Sequence, residues 1–247
     1  VIGGLKRIAE VATFLVPLMG SIYFGAMIIA LMLNLDLVLP AFKLILVDAF
    51  NGTAIAGGTF FGVLIYGVRR GAFSNEAGMG TESLVHGVAK VSNPVKQGLV
   101  AMTGPIFDTL IICTATALMI LVSGVWETSS SQGVTLTAEA FSNLLGNFGG
   151  LILFTCVICF GLSTIFTYSY YGASCSRFLF GNFGMKFYIY LYIFSIFIYS
   201  IVPIDIAINI ADGAFALMAI PTLISALWLA PKVMQASKNY FKLVDNI

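Results

Sequence analysis

The strongest constraint on this chain is the length of its apolar runs. "TFLVPLMGSIYFGAMIIALML" at residues 13–33 and "LVAMTGPIFDTLIICTATALMILVSG" at 99–124 each hold more than 20 residues with almost no charge. A helix needs about 20 such residues to cross a hydrocarbon core about 30 Å thick. Within lipid every peptide N–H and C=O needs a partner in the chain itself, which leaves helices and closed barrels as spanning structures. These runs do not alternate in polarity, so an all-α membrane protein is expected and an outer-membrane barrel is not. Charge agrees: 9% of the 247 residues are charged, against roughly 25% in a soluble domain. A net charge of +1 gives no basic field for nucleic acid.

Six transmembrane helices are expected, at about 10–33, 55–72, 98–123, 149–176, 185–203 and 206–230, in a single transmembrane domain over 1–247. Pro17 removes a backbone hydrogen bond from the first and invites a kink. "LDLVLPAFKLILVDAFNG" (35–52) is apolar but too short and punctuated for a crossing, and reads as a helix lying at the interface. "WETSSSQGVTLTAEAFSNLLG" (126–146) is polar and acidic, with a short helix expected from about 137, and "PKVMQASKNYFKLVDNI" (231–247) is a basic amphipathic tail. The opening "VIGGLKRIAEVA" has no initiator methionine and no cleavage pattern, so the chain reads as a piece whose partner is a missing N-terminal half of the same protein.

Short loops rich in Lys and Arg stay on the cytoplasmic side. With six spans, Lys6, Arg7, Lys90, Lys96, Arg177, Lys186, Lys232, Lys238 and Lys242 share one side, while Lys43 stands alone among the acids of the other. Both ends are therefore expected inside, in a plasma or inner membrane. Arg69 and Arg70 escape that count because their depth is uncertain. Cys156 and Cys159 lack a second ligand pair and read as small buried hydrophobes.

Polarity inside such a chain is the functional signal, because an ionised side chain at the helix centre costs about 2.5–3.5 kcal/mol on insertion scales. Asp108 falls near the middle of the third span and Asp212 some seven residues into the last. Each is either a helix-to-helix hydrogen bond or a substrate or ion contact. "GAFSNEAGMGTESLVHG" (71–87) is denser still, with Gly71, Gly78, Gly80 and Gly87 around Ser74, Asn75, Glu76, Thr81, Glu82, Ser83 and His86. Gly58 to Gly62 and Gly67 to Gly71 have the small-x-x-x-small spacing of close helix packing. Glycine at this density weakens a helix, so a break over 73–80 is expected. The freed carbonyls would suit a cation and the freed N–H groups a carboxylate, if they line a cavity; the alternative is a polar cytoplasmic loop with no ligand. "GLSTIFTYSYYG" (161–172) adds Ser163, Thr164 and Thr167, with Thr164 and Tyr168 on one helix face. These hydroxyls either form an oxygen cage for a small cation or bond back to their own backbone.

"RRGAFSNEAGMGTESLVHG" resembles the signature of the alanine/glycine:cation symporter family, and "GGLKRIAEVATFLVPLMG", "NPVKQGLVAMTGPIFDTLIICTATALMILVSG", "STIFTYSYYG" and "ADGAFALMAIPTLISALWLAPKV" resemble it in the same order. The resemblance implies the inverted-repeat (5+5) sodium-coupled transporter fold, with this chain as the last helix of the first repeat and all of the second. It implies a secondary active transporter, not an enzyme, that symports a small neutral amino acid, alanine or glycine, with sodium as coupling ion and no other cofactor. By the same resemblance Phe73, Ser74, Asn75 and Gly78 line the substrate pocket, and Ser163 and Thr164 hold sodium. Thr167-Tyr168 stands where the family commonly has Gly-Trp, so Tyr168 would wall that pocket with a smaller, hydroxylated ring. The rival is a proton-coupled amino-acid transporter on the same fold, with Glu76 or Asp108 as the proton carrier.

Overall fold

A computed structural model describes residues 4–50, 59–76 and 78–244 of the chain, with side chains from 14, 61 and 78 onward in those segments and as far as 243. All regular structure among them is helical: α1 (Gly4–Leu33), α2 (Leu35–Ala49), α3 (Thr59–Asn75), α4 (Thr81–His86), α5 (Pro94–Ser123), α6 (Val125–Thr128), α7 (Val134–Leu145), α8 (Asn147–Tyr199) and α9 (Ile204–Val244). Four stretches among the described residues are long and apolar enough to cross a membrane: Phe14–Leu33, Pro94–Ser123, Asn147–Tyr199 and Ile204–Leu243.

That count differs from the six expected crossings in two places. The expected start of the second crossing, at 55–58, lies outside the described residues, and α3 from Thr59 is 17 residues long. The crossings expected at 149–176 and 185–203 run together as the 53-residue α8, which leaves helical geometry at Gly181 (φ 67°, ψ −157°). A positive φ of this kind costs glycine nothing. Tyr192 donates to the Ile165 carbonyl at 2.8 Å, and a Cβ on Gly172 would come within 2.0 Å of the Tyr188 ring. Contacts at 165–192 and 172–188 have nearly constant index sums, so the two arms fold back on each other as an antiparallel hairpin. Three further boundaries moved. α1 begins at Gly4 and keeps its assignment through Pro17, and α9 continues through Pro221 and Pro231 so that the basic tail extends the last helix. α7 starts three residues earlier than expected, at Val134.

The chain divides into two compact units, residues 1–63 with 111–194, and 64–110 with 195–247. The first has a dry centre: Met27, Ala30, Met119 and Phe141 are fully buried, joined by Ala26 and Leu153. Tyr23 stacks on Phe141 with ring centroids 5.4 Å apart, and its hydroxyl sits 2.9 Å from Thr116 Oγ1. The Thr116 hydroxyl donates to the Ile112 carbonyl, so both hydroxyls in this contact are satisfied. The turn into α8 is equally tight, because a Cβ on Gly149 would lie 2.0 Å from the Phe141 carbonyl oxygen.

The second unit holds the distal part of α3, the break, α4, the first half of α5 and α9. Most of its large apolar side chains face outward, among them Leu217, Leu227 and Trp228 on α9, as lipid-facing surface does. Asn93 caps α5, its side-chain oxygen accepting from the Val95 N–H at 2.9 Å, and Pro94 occupies the first turn where its missing N–H is harmless.

Gly149→Ala should lower stability by about 1–3 kcal/mol, because the clash is with backbone. Gly20→Ala, with open space around its site, should not. Thermal unfolding of the detergent-solubilised protein reads both. A second expectation concerns Glu139 on α7, whose carboxyl the hydroxyls of Ser129 and Ser131 hold below the usual carboxylate range. Its contribution is present above the unfolded carboxylate range and is lost as pH falls through the lowered folded value. The unfolding midpoints of wild type and Glu139→Gln should therefore differ at neutral pH and converge in acid.

Candidate functional site

The glycine-rich segment does break its helix. α3 runs to Asn75, after which Glu76 (φ 55°), Gly78 (φ 79°) and Gly80 (φ 90°) take left-handed conformations before α4 begins. Phe73, Ser74 and Asn75, expected inside the break, are the last turn of the helix instead. The described residues of the break are Glu76 and 78–80, where the positive-φ residues begin. Glu76 is the one described non-glycine residue with positive φ, a conformation that costs of order 1–3 kcal/mol. α4 is only six residues long, so its freed N–H groups carry a small dipole.

The last turns of α3 address two neighbours within the second unit. One face meets α9: Arg69 and Arg70 both reach Asp212 Oδ2, the latter at 3.2 Å, and Phe73 sits edge-on to Phe215 with centroids 4.9 Å apart. The Asp212 side chain is 4% exposed, against 51% for Arg69 and 35% for Arg70. A carboxylate so buried needs its partners, and two guanidinium groups against one carboxylate leave a net positive charge. Arg70 also lies over the Tyr66 ring, 5.1 Å from its centroid. The adjoining face meets α5: Ser74 Oγ donates to Asp108 Oδ2 at 2.5 Å, and Asn75 Nδ2 donates to Thr109 Oγ1 at 3.2 Å. Beyond the break, a Cβ on Gly80 would meet Thr222 Oγ1 at 2.8 Å, and one on Gly78 would touch Leu223 at 3.7 Å, so α9 lies against the broken segment as well. A cleft of about 440 Å³ opens beside these contacts, bounded by Arg69, Phe73, Met79, Asn209, Asp212 and Phe215.

Asp108 and Thr109 lie in a π-helical stretch, Ile106–Cys113, inside α5. Such stretches widen a helix and recur at functional sites. Thr81 closes the break from the other side, 1% exposed, with no hydrogen-bond partner for its hydroxyl.

The first unit carries the other expected site residues. Ser163 is buried and donates to the Phe160 carbonyl at 2.8 Å, and Thr164 donates to the same carbonyl at 2.9 Å. Thr167 donates to the Ser163 carbonyl at 2.9 Å. The backbone-bonded reading of these hydroxyls is thus the geometry present. Tyr168 packs its ring 5.4 Å from that of Tyr171.

Of the two readings open for Asp212, the helix-to-helix hydrogen bond is the geometry present, with the Arg69 and Arg70 guanidinium groups of α3 as donors; the adjacent Arg69-Arg70 pair in an apolar chain was the signal that it needed an acid. One expectation is not met. The glycines at 62, 67 and 71 meet nothing within 4 Å, so close packing at those positions is not found among the described residues, and Gly58 lies outside them.

Comparison with known proteins bears on all of this. The sodium:alanine symporter family matches residues 1–246. The chain is 34% identical to the sodium/alanine symporter AgcS of Methanococcus maripaludis, over 100% of this chain and 55% of that protein. It is 36% identical to the uncharacterized transporter YflA of Bacillus subtilis, over 98% and 52% of the two. With the probable sodium/glutamine symporter GlnT of Bacillus subtilis it shares 33% identity over 97% and 50%. The chain spans about half the length of the curated relatives it matches. Its signature at the helix break, its apolar helices and this match over 1–246 agree that the chain belongs to the sodium:alanine symporter family, a family of integral membrane transporters and not of enzymes.

Proposed function

We propose that this chain supplies the last helix of the first repeat and the whole second repeat of an inverted 5+5 transporter. It crosses the plasma membrane six times, through α1, α3, α5, the two arms of α8, and α9, with both ends inside. Its work is sodium-driven import of a small neutral amino acid, alanine or glycine. The observation that carries this reading is the helix break at 76–80, with Ser74 and Asn75 at its lip held in fixed orientation by α5. A break inside an apolar segment frees carbonyls that lipid cannot satisfy, and such carbonyls serve a ligand or a cation.

In this reading Phe73, Ser74, Asn75 and Gly78 are substrate-binding residues of the second unit, and Tyr168 is the substrate-binding residue of the first. Ser163 and Thr164 contribute to the sodium site: a hydroxyl that donates its proton to the Phe160 carbonyl still offers lone pairs to a cation. The remaining sodium ligands come from the half of the fold that the longer relatives carry beyond the matched region. Sodium and substrate are coupled because each stabilises the same closed state, so that each raises the affinity for the other. One relative is named for alanine and another for glutamine, which supports a neutral amino acid as substrate, and Tyr168, in place of the usual Trp, is the residue proposed to set its size.

Three measurements test this. Uptake of labelled alanine or glycine into proteoliposomes should follow an imposed sodium gradient; uptake driven by a pH gradient in sodium-free buffer would favour the proton-coupled rival. Thr164→Val should raise the sodium concentration for half-maximal uptake by roughly tenfold, as loss of one cation ligand does, while substrate affinity at saturating sodium changes little; an unaltered sodium titration removes Thr164 from the ion site. Asp212→Asn should lower the unfolding free energy by about 1–3 kcal/mol, discounted from a fully buried pair because both arginines are partly exposed. Arg70→Ala, which leaves Arg69 on the carboxylate, should cost less.

A further inference from the structure

α9 is longer than a crossing requires. It has 41 residues, Ile204–Val244, where about 20 suffice for the hydrocarbon core. In the orientation proposed above it enters the membrane near Ile204 and ends inside. From Ile204 to Pro231 its axis covers about 40 Å at about 1.5 Å per residue, enough to traverse about 30 Å of hydrocarbon even at a tilt of about 40°. Trp228 is exposed just before that point, and Trp collects at the headgroup level. Pro231 has no N–H to offer the Leu227 carbonyl, a loss that headgroups or water make good and acyl chains do not. Residues 232–244 thus extend past the hydrocarbon.

The extension has two unlike faces. At about 100° per residue, Lys232, Gln235, Lys238, Asn239 and Lys242 fall within an arc of about 120°. Val233, Met234, Ser237, Tyr240 and Phe241 fall within the opposite arc of about 120°. Val233, Met234 and Phe241 are between 47% and 60% exposed, so the apolar face is open among the described residues. Tyr240 sits edge-on to Phe241 with ring centroids 5.4 Å apart, which puts a hydroxyl-bearing ring at the border of that face. No Asp or Glu occurs after Asp212 as far as Val244, so the lysine face meets no acid on its own helix. An apolar protein groove would cover Val233 and Phe241 and leave the lysines unanswered. A leaflet with anionic headgroups answers both faces, with apolar side chains at the acyl boundary and lysines among the phosphates.

We propose that residues 232–244 are a docking surface for the anionic lipid of the cytoplasmic leaflet. The helix yields at Pro231 and lays its apolar face on the bilayer, with Lys232, Lys238 and Lys242 at the level of the headgroup phosphates. The straight α9 described above is then the undocked state. The proposal rests on the orientation given under the proposed function, which puts the end of α9 inside. Docking has a consequence for the rest of the second unit, because the same helix carries Asp212 under the two arginines and Thr222 beside Gly80. Lipid charge that fixes the inner end of α9 therefore acts on the helix that braces the break.

The test uses the full-length protein in nanodiscs, with its other reactive cysteines replaced and an environment-sensitive fluorophore attached through Ser237→Cys, in the middle of the apolar face. The discs hold phosphatidylcholine alone or an equimolar mixture with phosphatidylglycerol. In the mixture the emission should be blue-shifted and quenched by lipids that carry a nitroxide near the top of the acyl chain. Phosphatidylcholine alone, or high salt, should return the fluorophore to water. Replacing Lys232, Lys238 and Lys242 with Gln should lower the ratio of docked to undocked tail by roughly fivefold per lysine. Quenching as strong in phosphatidylcholine as in the mixture, or unchanged by the three replacements, overturns the proposal. So does a blue-shifted fluorophore that no nitroxide lipid quenches, because protein then covers the face. Sealed right-side-out vesicles separate the docking from the orientation on which it rests. An impermeant aqueous quencher added outside that reaches residue 237 overturns the orientation and the choice of leaflet with it. If that quencher is excluded and the nanodiscs show no dependence on lipid charge, the orientation stands and the docking alone is removed.

Discussion

A peptide group without a partner is costly wherever water is excluded, and Glu76, Gly78, Met79 and Gly80 are non-helical between α3 and α4. Everything built around it answers that cost. α9 lies against the break closely enough that Gly80 has no room for a methyl group beside Thr222. α5 takes the last two side chains before it, Ser74 and Asn75. The helical turns just ahead are anchored by the arginines on Asp212 and by the edge-on contact of Phe73 with Phe215. A segment with little regular structure of its own is braced by two long helices, α5 and α9.

The two acids show how one physical rule gives two outcomes. Burial of Asp212 with a pair of guanidinium groups makes a fixed strut, because any motion that parted them would strand charge. Asp108 receives hydroxyls only, from Ser74 and Thr109. What sits opposite each carboxylate is tertiary information. The sequence reading had both as equivalent candidates, since nothing in the spacing of residues 69, 108 and 212 announces which will meet.

Other parts were legible for local reasons. The apolar runs gave the helices, because helix formation in lipid is governed by length and hydropathy, and the helix break followed from glycine density near 71–87. Asn93-Pro94 is a two-residue start signal, and α5 begins there, four residues before the expected start at 98. What did not show was the π-helical stretch at 106–113, which depends on how α5 meets its neighbours. The fold-back at Gly181 was visible as a gap between two crossings, although its hairpin geometry comes from Gly172 admitting the Tyr188 ring. The glycines at 62, 67 and 71 misled for the opposite reason, since a spacing that permits close packing does not require it.

The unbroken run of α9 has a mechanical corollary. Its 41 residues span about 61 Å, roughly twice the thickness of the hydrocarbon layer. Asp212 sits near one end, and about 48 Å of helix lies between it and Val244. Rotating such a rod by about 5° around its arginine clasp sweeps the lysine-bearing tip through about 4 Å, on the same rise per residue. An adjustment of a fraction of an ångström at the clasp would arrive at the aqueous end amplified several times, the geometry of an oar in its lock.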